Sequence, residues 1–285
     1  MNTNTKNKDL TVGFIGCGKM ASAIIKGVLS SNFLSSKNII ASEINEEFAQ
    51  AKAKELNIET FTDNKIIAQK ADVIFLATKP HFIKDVLNEI RDDLFEKEFV
   101  GEKLIVSIAA GVSTKTIEEA IGHDVFGFVA PVIRVMPNAP AFILEGMSGI
   151  VRGKQAKDND LEFVESLLSK IGKCIVIDED KIDVLTAISG SGPAFFYKII
   201  NEMALAGEKL GLDYEKSLLL SIQTAIGSAK TMLESPMTAD ELIQGIATKG
   251  GCTQVGVDFM TEEKTQELFD GLIQKTAEKA KALGN

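Results

Sequence analysis

The stretch Val12-Gly13-Phe14-Ile15-Gly16-Cys17-Gly18-Lys19-Met20-Ala21 constrains this chain more than any other. A β-rich apolar run enters a glycine turn and leaves as a helix carrying Ala21, Ile24, Ile25 and Val28 at helical spacing. Placed between a strand and a helix, G-x-G-x-x-A is the opening unit of a dinucleotide-binding fold. Gly16 makes the tight turn, Gly18 lets the backbone approach a pyrophosphate, and Ala21 lets the helix lie close on the strand. The helix start offers free N–H groups and the positive end of its dipole to the phosphates. The glycines alone would also fit an ordinary turn; the flanking strand and helix single out the nucleotide site.

Downstream, strands are predicted over 38–42, 72–78, 104–108, 132–135, 148–151 and 174–177. Helices are predicted over 46–56, 81–90 and 160–169, with another capped near Ser113. This alternation predicts an open parallel sheet with helices on both sides, and nearly continuous apolar runs suit strands buried on both faces. Ligands of such sheets bind at the carboxyl ends of the strands, here the turns after Ile15, Ala41, Ala77 and Ile108. The end of the second strand faces the adenosine ribose, so Ser42 and Glu43 are its candidates. In one register Glu43 accepts from the ribose hydroxyls and repels a 2′-phosphate; in another it is a solvent-facing loop acid. Lys79 reads as a strand-end charge, and His81 as a helix-start residue rather than a general acid.

After Asp178 the strand patterns stop. A short helix over 179–187 leads to the flexible turn Ser189-Gly190-Ser191-Gly192-Pro193. A helix over 193–210 follows and stops at Gly211. Asp213 caps a helix over 214–234, halted by Ser235-Pro236. A helix over 238–246, a turn at 248–253 and an amphipathic ending over 262–283 complete the chain. The broad apolar face of 214–234 suits a helix central to its domain or shared with another subunit. The predicted fold class is therefore α/β: an N-terminal Rossmann-like doubly wound sheet followed by an all-helical C-terminal dimerisation domain. The expected division is a disordered extension over 1–10, a nucleotide domain over 11–177 and a helical domain over 178–285, with the boundary near 173–179.

A formal net charge of −9 argues against nucleic acid or an anionic membrane surface as partner. A small anion can still bind at helix ends and backbone amides. Cys17, Cys174 and Cys252 are odd in number and include no C-x-x-C pair, so neither a disulfide framework nor a zinc site is expected; a reducing compartment, the cytoplasm, fits. Two histidines, His81 and His123, are too few for a histidine-based metal site, and no apolar run reaches membrane-spanning length. A nicotinamide site joined to a helical domain suggests hydride transfer to a small substrate.

From Thr11 to Leu283 the chain resembles the pyrroline-5-carboxylate reductases. The likeness rests on Phe14-Ile15-Gly16-Cys17-Gly18-Lys19-Met20, Thr78-Lys79-Pro80, Ser107-Ile108-Ala109-Ala110-Gly111, Arg134-Val135-Met136-Pro137-Asn138-Ala139-Pro140 and Leu185-Thr186-Ala187-Ile188-Ser189-Gly190-Ser191-Gly192-Pro193-Ala194. The resemblance implies reduction of 1-pyrroline-5-carboxylate to L-proline by NADPH or NADH, the last step of proline synthesis. It also implies a homodimer interlocked through the helical domain and, in many members, a ring of dimers. By position it implies that Gly16, Cys17, Gly18, Lys19 and Met20 bind the pyrophosphate and that Ser42 lies by the ribose. Asn64, Ala77, Thr78, Lys79, Pro80, Ala109 and Ala110 would line the cofactor. Gly250, Gly251, Cys252 and Thr253 match the substrate loop, with backbone amides for the carboxylate and the Thr253 hydroxyl, the catalytic candidate, for the ring nitrogen. Glu179 matches an acid near the proline site.

The chain departs from the family pattern in four places. Lys249 stands where members usually carry proline, Cys252 for threonine or alanine, Ala139 for threonine, and Lys19 for a common asparagine. An iminium accepts hydride without a strong enzymatic acid, so the sparse catalytic set suits the reaction. Two rivals fit less well. A β-hydroxyacid dehydrogenase needs a lysine on the helix after a glycine turn, but Lys198 falls two residues late and its pairing with Asn201 is one residue too close. A non-catalytic NAD(P)-sensing protein has no use for the carboxylate loop at 250–253.

Overall fold

The computed structural model describes residues 10–95, 103–122 and 129–284. The extension expected over 1–10 lies outside them except for Leu10, as does His123. The chain forms two compact units, one running through Gly190 and including the residues from Ala277 onward, the other Ser191–Thr276. The last strand does end at Val176, but the first compact unit continues past the expected boundary by the turns up to Gly190.

In chain order the first unit contains β1 (Val12–Ile15), α1 (Lys19–Ser30), β2 (Ile39–Ser42), α2 (Glu46–Leu56), β3 (Glu59–Phe61) and α3 (Asn64–Lys70). There follow β4 (Val73–Leu76), α4 (Ile83–Leu94), β5 (Leu104–Ser107), α5 (Thr114–Ile121), β6 (Val132–Met136), β7 (Gly146–Arg152), α6 (Asp158–Leu168), β8 (Gly172–Val176) and α7 (Ile182–Leu185). The eight strands form one sheet in the order β3-β2-β1-β4-β5-β6-β7-β8. The first six run 3-2-1-4-5-6, the doubly wound order whose reversal beside β1 opens a crevice at the strand ends.

Three features depart from the predicted pattern. β3 was not expected; it has three residues, none buried, and pairs only with β2. The sheet is not wholly parallel, since β7 runs antiparallel to β6 and β8 then runs parallel to β7. Between β6 and β7 the chain has only the short 3-10 segment Ala139–Ile143, too little for a parallel crossover, so the strand reverses. The predicted 81–90 helix is displaced: Pro80–Phe82 forms a 3-10 turn and α4 then runs to Leu94.

Strand alternation divides the core between the two faces of the sheet. Val12, Phe14, Val73, Phe75, Leu104 and Val106 face α1 and α6 with Ile24, Ile25, Val164 and Leu168. Ile15, Ile40, Ile74, Leu76 and Ile105 face α3, α4 and α5 with Ile67, Leu87, Ile90 and Ile117. Phe14 and Phe75 lie opposite one another in the β1–β4 register, their rings stacked 4.7 Å apart. This pair fixes the two strands whose ends build the crevice.

The second unit begins with α8 (Gly192–Lys209), α9 (Tyr214–Glu234), α10 (Ala239–Ile246) and α11 (Cys252–Glu262) and ends in α12 (Thr265–Leu283), which extends beyond it. α8 and α9 join through Gly211, at φ +93°, and Tyr214 Oη donates to Asn201 Oδ1 at 2.8 Å between them. The segment 189–193 is not a flexible turn: Thr186–Gly190 is a π-helical turn that leads into α8, with Pro193 in its first turn. α11 was not expected, because its small and β-branched residues (Thr253, Val255, Gly256, Val257) weaken the helical signal. In α8 only Gly192 and Ala204 are buried, and in α9 only Ser217 and Ser221. Phe196, Leu219, Leu220, Ile226, Phe259 and Leu268 remain exposed. Apolar surface of that extent marks a protein contact face.

Replacing Phe75 by alanine empties a fully buried ring site, and the unfolding free energy should fall by about 3–5 kcal/mol. Urea denaturation measures it; a loss under about 1 kcal/mol would contradict a load on this stacked pair.

Candidate functional site

The crevice starts at the end of β1. Gly16 adopts φ +87°, a left-handed conformation, and a Cβ there would meet the Ala77 carbonyl oxygen at 3.0 Å and Thr78 Cγ2 at 3.1 Å. The turn is thus pressed against the end of β4, and only glycine fits it without strain. Its N–H donates to the Ser42 carbonyl at 3.0 Å, and Ala77 N–H donates to the Ile15 carbonyl at 2.9 Å. These backbone bonds gather residues 16–18, 42–43 and 77–78 at one edge of the sheet.

Three observations test whether a dinucleotide fits here. Gly18 is exposed, and among the described residues no heavy atom beyond its chain neighbours lies within 4 Å of where its Cβ would project. The first helical bond of α1 runs from Ser22 N–H to the Gly18 carbonyl, so the amides of Lys19, Met20 and Ala21 precede it and have no helical acceptor. The Thr78 hydroxyl is buried with no hydrogen-bond partner among the described residues. Open space, free amides at a helix start and an orphaned donor suit a pyrophosphate.

The structure distributes the remaining expected residues in distinct ways. The Cys17 side chain is fully buried in the core, and burial pushes its thiol up to about 11, so only its backbone faces the crevice edge. That N–H is already engaged by Glu43 Oε1 at 2.7 Å, which decides between the two readings of Glu43 in favour of a crevice position. Met20 packs against the core, whereas Lys19 is exposed. Ser42 is buried and its hydroxyl donates to Asn64 Oδ1 at 2.7 Å. Asn64 in turn donates to Glu89 Oε2 at 2.9 Å. Lys79 and Pro80 are exposed at the β4 end, and Ala109 is buried beside exposed Ala110 after β5. All of these lie at the carboxyl edge of the parallel strands.

Both oxygens of Glu179 are engaged within the first unit. Its Oε1 accepts from Arg134 Nη1 at 2.6 Å, and its Oε2 accepts from Thr114 N–H at 3.1 Å and Thr114 Oγ1 at 2.5 Å. The Arg134 side chain is 6% exposed. Both carboxylate oxygens therefore tie β6 to the start of α5 within the first unit. Sequence reasoning missed this cluster, although Thr114 directly after the helix-capping Ser113 and a charge in the apolar strand Val132–Met136 are its signals.

In the helical unit, residues 250–253 are not a free loop but the start of α11. Gly250 has φ +78°, Gly251 is the N-cap, and Cys252 and Thr253 open the first turn. The first helical bond runs from Val255 N–H to the Gly251 carbonyl, leaving the amides of Cys252, Thr253 and Gln254 without helical acceptors. Such a terminus binds a carboxylate through N–H groups and dipole, with no net positive charge needed. Lys198, the residue a β-hydroxyacid dehydrogenase would need, is exposed and paired with Glu202.

Residues 179–283 match the family model described as pyrroline-5-carboxylate reductase dimerisation, and residues 11–111 match NADP oxidoreductase, coenzyme F420-dependent. The pyrroline-5-carboxylate reductase of Methanosarcina acetivorans is 35% identical over 273 residues, covering 96% of this chain and 97% of that protein. The solved structure of a pyrroline-5-carboxylate reductase from Coxiella burnetii superposes with a TM-score of 0.89 at 30% identity, over 97% of this chain and 99% of that one. The Plasmodium falciparum pyrroline carboxylate reductase with NADP bound gives a TM-score of 0.82 at 28% identity, over 98% and 99% of the two chains.

Removing the Glu179 carboxylate strands a buried guanidinium, so Glu179→Ala should lower the unfolding free energy by about 3 kcal/mol. Urea denaturation checks it. Unchanged stability with a raised KM would instead assign Glu179 to substrate.

Proposed function

Because the chain belongs to the pyrroline-5-carboxylate reductase family, we propose a division of labour between its two units in that family's reaction. The protein reduces 1-pyrroline-5-carboxylate to L-proline with NAD(P)H. The observation that carries the assignment of residues is the pair of helix starts with unengaged amides, one after Gly18 and one after Gly251.

The nicotinamide cofactor, when bound, supplies a hydride. Gly16, Gly18 and the amides of Lys19 and Met20 hold its pyrophosphate; Cys17 belongs to the turn through its backbone, which Glu43 braces. Ser42 orients Asn64, and Ala77, Thr78, Lys79, Pro80, Ala109 and Ala110 line the strand ends. Thr78 offers the orphaned hydroxyl. In the helical unit, the amides of Cys252, Thr253 and Gln254 take the substrate carboxylate after the Gly250-Gly251 turn. Oγ1 of Thr253, on the first turn of α11, is the hydrogen-bond partner of the ring nitrogen. The protonated imine gains one hydride at carbon and becomes the secondary amine, so the proton already on nitrogen completes the balance. Fixing the ring and its charge supplies most of what this reaction needs.

Homo-oligomerisation follows from the dimerisation family match and agrees with the exposed apolar faces of α8 and α9. A second copy covers those faces in this reading, and dimers assemble further into a ring. Among the described residues no helix is long and apolar enough to cross a membrane. With a net charge of −9 and cysteines that are all free, we place the protein in the cytoplasm, without nucleic-acid or membrane partners.

Purified protein given 1-pyrroline-5-carboxylate should oxidise NADH or NADPH, followed by loss of absorbance. Thr253→Ala should lower kcat/KM by about tenfold to a hundredfold through loss of one transition-state hydrogen bond. No turnover with either nucleotide would overturn the reading. Placing a charge on the α9 face, as in Ile226→Glu, should shift the protein toward monomer in sedimentation at micromolar concentration; an unchanged oligomer would remove α9 from the contact.

A further inference from the structure

Glu43 is held more firmly than bracing a turn requires. On one side of it, the Ser42 carbonyl accepts the Gly16 N–H at 3.0 Å; on the other, the Glu43 N–H donates to the Phe61 carbonyl of β3 at 2.9 Å. The backbone carrying the carboxylate is therefore fastened between the glycine turn and the neighbouring strand. The side chain folds back, and its Oε1 takes the Cys17 N–H at 2.7 Å. One oxygen is thus committed to the turn, and the charge is fixed at the end of β2, where this fold places the adenosine ribose.

The connection that follows adds negative charge. The connection into α2 reads Glu43-Ile44-Asn45-Glu46-Glu47, with three carboxylates and neither lysine nor arginine. Asn45 caps α2 by accepting from the amides of Glu47 and Phe48, so that helix start is already occupied. Lys52, farther along α2, donates to Ser22 Oγ at 2.9 Å and to Glu55 Oε2 at 2.7 Å. Among the described residues, Glu43 forms no ion pair. Lys19, the exposed cation of the turn, opens α1 on the pyrophosphate side.

We propose that Glu43 selects NADH: one oxygen stays on the Cys17 amide while the other accepts from the ribose 2′-hydroxyl, and the fixed charge excludes a 2′-phosphate. A hydroxyl donates to a carboxylate; a phosphate ester there brings only acceptors and like charge. The assignment rests on residues 16–20 being the dinucleotide turn. It separates this chain from its Plasmodium falciparum relative, whose structure holds NADP.

Equilibrium titration of the full-length protein with NADH and NADPH, without substrate, reads the selection apart from turnover. Wild type should bind NADH at least about tenfold more tightly, an advantage that shrinks with added salt. Glu43→Gln keeps an oxygen for the Cys17 N–H and removes the charge, so NADPH binding should improve by about fivefold or more and the preference should narrow. Equal or tighter NADPH binding by wild type would overturn the proposal while leaving the reductase reading intact. A wild-type NADH preference that survives Glu43→Gln would take the selection away from Glu43. Binding of neither nucleotide would overturn the dinucleotide turn itself.

Discussion

The structure depends on how the chain turns at Gly16. β1 is flanked on both sides, by β2 and β4, so its end cannot spread and must leave the sheet within one residue. The chain passes against the Ala77 carbonyl with a positive φ at Gly16. That turn sets the start of α1, and α1 packs Ile24, Ile25 and Val28 on the sheet face that carries Phe14 and Phe75. Site and core are therefore one construction: the backbone that cannot carry a side chain at Gly16 leads into the helix start where the amides of Lys19, Met20 and Ala21 have no helical acceptor.

The helical unit follows a different rule. Among the described residues its buried positions are only glycine, alanine and serine, and many of its large apolar side chains stay exposed. Such a unit gains most of its burial from another copy, which couples stability to association. The helix start proposed to bind substrate belongs to this unit, so on that proposal the order of the site and the assembly of the enzyme are linked. Both proposed sites share one device, a glycine turn that opens a helix whose first amides have no helical acceptor. Neither proposed site needs a basic side chain, which reconciles the proposal with a net charge of −9.

Much of this was legible in the residues. The strand–turn–helix of 12–30 and the buried runs of β4 and β5 carry strong local patterns, and α9 begins and ends where Asp213 and Ser235-Pro236 place it. What escaped had weak local signals or depended on distant partners. β3 is three residues long and exists only through pairing with β2. The reversal of β7 is fixed by the shortness of its connection, not by the apolar pattern, which is the same for either direction. α11 hides in a run rich in glycine and β-branched residues. The Glu179 cluster could not be read locally, because its partners Arg134 and Thr114 lie 45 and 65 residues away. The orientation of Glu43 could not be read at all, since one residue of register decides it; the Cys17 amide settles it.

The claim that one backbone turn makes the cofactor site is tested most directly by Gly16→Ala. A single methyl there meets the Ala77 carbonyl and forces an L-residue into left-handed backbone, at a cost of about 1–2 kcal/mol before the clash is counted. Calorimetric titration with whichever nicotinamide dinucleotide the wild type binds more tightly, alongside far-UV circular dichroism, gives the answer. The account predicts affinity reduced by about tenfold or more, equivalent to at least 1.4 kcal/mol, with the helical signal retained. Unchanged affinity in the folded variant would contradict it.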